Sequence, residues 1–117
     1  MRWIDRGLSV LLILGGMAHA FGVASFFHDP QTLFWSETAT ILIFLIAAVN
    51  LLRTWRPGDR ALAGVAAGGS VAYLIATLCF GRIIGDMVDF RVILFGVLTL
   101  GLALFSLRDA TRSAVRQ

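Results

Sequence analysis

Two ionisable side chains of this sequence lie inside long apolar runs. A charge in such surroundings is costly, so it is either paired or put to use. His19 occupies the stretch Gly15-Gly16-Met17-Ala18-His19-Ala20-Phe21-Gly22, where small neighbours let other backbones approach the imidazole closely. Glu37 lies about five residues into the next apolar run, roughly 7–8 Å deep at a helical rise of 1.5 Å per residue. A neutral imidazole has one donor and one acceptor to satisfy. The hydroxyls at comparable depth are Tyr73, Ser70 and Thr40, with Tyr73 the preferred partner and Thr99 also at that level. The expected role is a polar lock between hairpins, with the ring neutral; the sharper alternative is a ligand for haem or a quinone. For Glu37 the expected partner is Arg91 or Arg82, and the sharper alternative is a coupling carboxylate in a transporter. Asn50 has a simpler task, a hydrogen bond to a neighbouring helix.

Catalytic readings fare poorly. No nucleophile sits in a recognisable motif, and there is no glycine-rich phosphate loop or H-E-x-x-H. His19 and His28 fall about 180° apart on one helix and more than about 13 Å along it, so one chain cannot hold a haem between them. The single cysteine, Cys79, excludes an intramolecular disulfide and a cysteine-built metal site within one chain. The sequence therefore points away from an enzyme and gives no catalytic residue, metal ligand set or cofactor.

The elements that position these residues follow from composition. The chain has 117 residues, of which 58% are hydrophobic and 15% charged, with a mean hydropathy of +0.85. Soluble domains carry roughly 25% charged residues, so this is the composition of a membrane protein. Spanning a bilayer core of about 30 Å takes about 20 apolar residues, and four runs qualify: 7–27, 32–52, 61–80 and 87–107. Their length, without period-two alternation, predicts helices. Short connections make neighbours antiparallel, which gives an all-α four-helix transmembrane bundle forming a single domain over residues 1–117. The first run resembles a signal peptide, with Ala18-His19-Ala20 as a cleavage-like site, but it stays apolar through Phe27 and reads as a retained helix.

The breaks between runs carry capping chemistry. Asp29-Pro30 suits the start of the second helix and Asp59 the start of the third. Gly81 is expected to end the third helix, and Asp86 to cap the fourth with Asp89 near its positive end. Asp5 sits at the start of the first helix, and these aspartates read as surface groups.

All ten basic residues are arginines, and they are distributed unevenly. Arg2, Arg6, Arg53, Arg56, Arg60, Arg108, Arg112 and Arg116 fall at the termini and middle connection; only Arg82 and Arg91 fall on the other side. The positive-inside rule then predicts cytoplasmic termini in a bacterial inner membrane. Basic residues set between apolar runs exclude a nucleic-acid surface; the expected partners are the lipid bilayer and other membrane subunits or a second copy. Pairs 54 residues apart (Asp5 with Asp59, Phe26 with Phe80, and the candidates His19 with Tyr73 and Glu37 with Arg91) suggest a parallel repeat of two helical hairpins.

Small residues mark close helix contacts in lipid. They predict inward stripes at Gly15, Ala18 and Gly22; at Ser36, Thr40, Ala47 and Asn50; at Gly64, Gly68, Ala72 and Ala76; and at Gly96, Thr99, Ala103 and Ser106. The pattern Gly-Gly-x-x-His-x-Phe-Gly, together with Asn50-Leu51-Leu52-Arg53, Pro57-Gly58-Asp59-Arg60 and Ser106-Leu107-Arg108, resembles a group of small uncharacterised four-helix bacterial membrane proteins. That resemblance implies the fold and carries no activity. The expected function is binding or assembly, as an accessory or scaffold subunit or a homo-oligomer. A small homodimeric transporter or channel using Glu37 and His19 is second, and a haem- or quinone-binding subunit third.

Overall fold

The computed structural model describes residues 2–112. Those residues form four helices and no strand: α1 (Arg2–Phe26), α2 (Pro30–Trp55), α3 (Arg60–Ile84) and α4 (Phe90–Arg112). Arg116, counted above among the arginines of the tail, lies outside the described residues. Each helix is long and apolar enough to cross a membrane. Helices of this length rise about 35–39 Å, more than the hydrocarbon core requires, because helical hydrogen bonding continues into the polar residues flanking each apolar run.

Local chemistry sets most of the ends. Asp29 accepts the backbone N–H of Thr32 at 2.9 Å, and its hydroxyl at the same distance. Pro30 follows as the first helical residue. These bonds, the backbone N–H first, hold the exposed Asp29 carboxyl below the usual carboxylate range. Asp59 caps α3 in the same way through the N–H of Leu62 at 2.9 Å. The expectation that Gly81 ends the third helix is corrected. The helix runs on to Ile84, and Gly85 takes the left-handed conformation (φ 72°) that closes it. Gly81 serves packing instead, since a Cβ there would lie 2.8 Å from the Met87 sulfur and 3.2 Å from Val92. Asp86 does not cap the fourth helix either. It accepts the N–H of Val88 within the connection, while Asp89, just before α4, accepts that of Arg91.

The hairpins α1–α2 and α3–α4 each pack closely along their length. They meet through α1 against α4 and α2 against α3, with a smaller contact of α2 with α4. Their joint core begins at the middle of the bundle, level with Phe95, and extends toward the end that holds the chain ends and the middle connection. Leu12, Ile43, Ala47 and Leu102 are buried there, with Ile46, Leu98 and Phe95 completing the cluster. Two adjacent glycines, about 100° apart around α1, admit two different neighbours. A Cβ at Gly15 would lie 3.1 Å from Phe95 on α4, and one at Gly16 would lie 2.9 Å from Phe44 and 3.0 Å from Ile43 on α2.

Two stripes differ from expectation. On α3 the buried face is Ala63, Ala66, Ala67 and Ser70, whereas Gly64, Gly68, Ala72 and Ala76 are exposed. The two rows lie one residue apart, and both are built of small side chains, so spacing alone does not choose between them. On α1, Gly15 is buried, but Ala18 is exposed and Gly22 half-buried.

The half of the bundle with the chain ends contains an ion cluster that the sequence reading treats as separate surface charges. Arg53 is 2% exposed. Its guanidinium donates to both oxygens of Asp5, at 2.6 and 2.9 Å, and also to Asp109 and to Asn50 Oδ1. Asn50 in turn donates to the Ser70 hydroxyl at 2.9 Å, and Arg6 donates to Thr54 at 3.1 Å. Asp5 from α1, Asn50 and Arg53 from α2, Ser70 from α3 and Asp109 from α4 thus tie all four helices together at one end.

Candidate functional site

In the other half, towards the first and third connections, the hairpins stand apart and leave a cavity of about 790 Å³. Its deep wall is formed by His19, Tyr73 and Phe95, with Gly15 beside them. Nearer the connections it is lined by Phe26, Trp35, Phe80 and Phe90. Small residues create the space: Ala18 and Gly22 on α1, Ala39 on α2 and Ala76 on α3 all face it. A Cβ at Gly22 would meet nothing within 4 Å. The stripes expected to close the bundle therefore leave it open at this end.

His19 is half-buried in this wall. Its Nδ1 lies 2.7 Å from the Thr40 hydroxyl, and that hydroxyl lies 3.2 Å from Glu37 Oε1 and 3.5 Å from the Ser36 carbonyl. Thr40 has one proton, and a carboxylate or a carbonyl can only accept it. With Glu37 ionised and the imidazole neutral, the arrangement that uses both contacts has Thr40 donating to Glu37 and His19 Nδ1–H donating to Thr40. That tautomer leaves Nε2 as an acceptor. Among the described residues Nε2 has no hydrogen-bond partner, and neither has the Tyr73 hydroxyl. Both rings meet Phe95 edge-on, with centroids 6.1 Å (His19) and 6.4 Å (Tyr73) from that of Phe95.

Of the three hydroxyls considered for His19, Thr40 makes the bond. Ser70 is engaged by Asn50 deep in the opposite half, and Tyr73 faces the cavity instead. The expected Glu37–Arg91 pair does not form. Arg91 is held at 2.9 Å by Asp89, two residues before it, and its guanidinium lies 5.0 Å from the Phe80 ring. A partner supplied by the local turn competes successfully with one across an open cavity. Arg82, the second choice, is exposed, and no ion pair joins it to Glu37 among the described residues. Asp89, in the connection, has its carboxyl held below the ordinary range chiefly by the hydrogen bond from Arg91.

The link from Glu37 to Thr40 was legible as an i, i+3 pair on one helix face. The cavity was not, because its existence depends on how far the hairpins separate. No group of three or more His, Cys, Asp or Glu side chains that could hold a metal occurs among the described residues. His28 lies in the first connection, and Cys79 is exposed. The site can accept one hydrogen bond at Nε2, exchange one with Tyr73, and enclose an apolar body. Comparisons of the chain with protein-family models, curated proteins and solved structures find no match.

Proposed function

We propose that this protein is a four-span membrane protein that holds a lipophilic molecule with a small polar head between its hairpins. The observation carrying this reading is the cavity, whose largely apolar and aromatic wall also holds Arg91, Ser36 and Thr77 and presents two unpartnered polar atoms, His19 Nε2 and the Tyr73 hydroxyl. Ligand sites have this character: about 300–1,000 Å³, largely apolar, with a few polar groups that fix orientation. The cleft is open on one side, where Phe26, Trp35 and Phe90 are exposed, so an occupant can enter between the hairpins and cover apolar surface that the protein leaves bare. The ion cluster keeps the hairpins joined at one end while they part at the other. Action as an accessory subunit that presents this ligand to a larger complex accords with a sequence that carries no recognisable catalytic motif, and coupled transport has less support, since Glu37 is tied to Thr40.

The test is extraction of the purified protein and mass spectrometry of the organic phase. A stoichiometric lipophile is expected, and it should be lost in Gly22→Phe, whose ring enters open space. A wild-type protein that carries nothing and binds no lipophilic probe sinks the reading.

The proposed setting is a bacterial inner membrane with both termini and the middle connection cytoplasmic, supported by the arginine distribution. The cavity then faces the periplasmic half. In a Cys79→Ser background, cysteines introduced at Gln31 or Gly85 should react with an impermeant thiol reagent added outside, and one at Gly58 should not. Labelling at Gly58 alone would invert the topology.

A further inference from the structure

We infer that the cavity prefers a quinol, a dihydroxylated aromatic ring on an apolar tail, over the corresponding quinone. This inference rests on the ligand-binding reading above and names the class of head group. Hydrogen-bond polarity at the ring sets this preference. Glu37 takes the proton of Thr40, Thr40 takes that of His19 Nδ1, and the ring therefore presents a lone pair to the cavity at Nε2. A head group that satisfies Nε2 must bring its own donor. His19, Tyr73 and Phe95 line the deep end of the cavity, and their aromatic rings suit contact with a flat aromatic head. Trp35, Phe26 and Phe80 line the way for an apolar tail. A quinol meets all three requirements: one O–H donates to Nε2, the ring lies among the aromatic side chains, and the other oxygen is free to bond Tyr73. A quinone carries only acceptor oxygens: the Tyr73 hydroxyl or Arg91 can meet one of them, but nothing the quinone brings pairs with Nε2, and an acceptor left unpaired away from water is penalised.

The experiment uses Trp35 as reporter, because it lines the cavity while Trp3 and Trp55 lie at the opposite end of the bundle. In a Trp3→Phe/Trp55→Phe protein in detergent, a decyl-tailed quinone quenches Trp35, and anaerobic competition measures the quinol and its 1,4-dimethoxy analogue. The quinol should bind about tenfold tighter than either, the worth of one well-made hydrogen bond plus relief of an unpaired acceptor. His19→Leu should abolish that preference. Thr40→Val, which removes the group that fixes the tautomer and spares the ring, should shrink it while quenching by the quinone persists. Equal affinities, tighter quinone binding, or a preference that survives in His19→Leu would overturn the inference while leaving a lipophile site in place. If neither the quinone nor any other lipophilic quencher reaches Trp35, the ligand-binding reading fails, and this inference with it.

Discussion

Arg53→Met is expected to destabilise the folded protein by about 3–5 kcal/mol, the usual cost of removing one partner from a buried ion pair. It should show as a large fall in the thermal midpoint in detergent. Arg53 is 2% exposed, and its guanidinium is bidentate to Asp5, which is equally buried, as well as bonded to Asp109. Without the cation, the Asp5 carboxylate must stay charged and unpaired or take up a proton, and either route weakens the tie between α1 and α2. Asn50 also loses a donor to its Oδ1. The asymmetry of buried ion pairs supplies the control: replacing a whole cluster by hydrophobic groups of similar volume is often neutral. Asp5→Leu/Arg53→Met/Asp109→Leu should therefore recover most of the loss. If Arg53→Met unfolds at the wild-type temperature, or the triple variant is no better than the single one, the cluster is not what joins the helices at this end.

Gly16→Val should cost about 1–3 kcal/mol, the range for overpacking a tight core, whereas Gly22→Ala should stay within about 0.5 kcal/mol of the parent. Both are glycines of α1 in one motif, so sequence gives no reason to separate them. Packing does. A Cβ at Gly16 would meet Phe44 at 2.9 Å and Ile43 at 3.0 Å, and Ile43 is fully buried with no room to retreat. At Gly22 the added methyl enters the open cavity, and Ala is the better helix former. Thermal unfolding of the two variants in one detergent decides the matter. Equal losses would mean that the hairpins close at both ends in solution and that the cavity is not a standing feature.

The same contrast accounts for the organisation of the molecule. Tight packing and the ion cluster occupy the half with the chain ends, and the candidate site occupies the half where the small residues of α1 and α3 face space instead of a neighbouring helix. A bundle fixed at one end and parted at the other can admit a ligand between its hairpins with little disturbance to its core. The His19 hydrogen bond also belongs to the first hairpin alone, since both Thr40 and Glu37 come from α2. It orients the ring without bridging the cavity.

What the sequence determined by itself is the part of the structure that depends on neighbours along the chain. The number of helices follows from four apolar runs, and the starts of α2 and α3 follow from Asp29-Pro30 and Asp59, because a cap bonds a backbone group three residues away. Even locally there was a limit: Gly81 and Gly85 are both competent to end a helix, and the choice between them fell to the packing of Gly81 against Val92. The tertiary structure alone decided whatever depends on helix rotation and separation. Asp5 and Arg53 are 48 residues apart and Arg53 and Asp109 are 56 apart, so each looks like a surface charge until the four helices turn those faces together. On α3 two adjacent rows of small residues were equally fit to be buried, and only the position of α2 and α4 selected Ala63, Ala67 and Ser70 over Gly64 and Gly68. His19 was conspicuous in the sequence because an ionisable group in an apolar run demands an explanation. The cavity that gives its free nitrogen something to face is a distance between hairpins, and no local pattern encodes that distance.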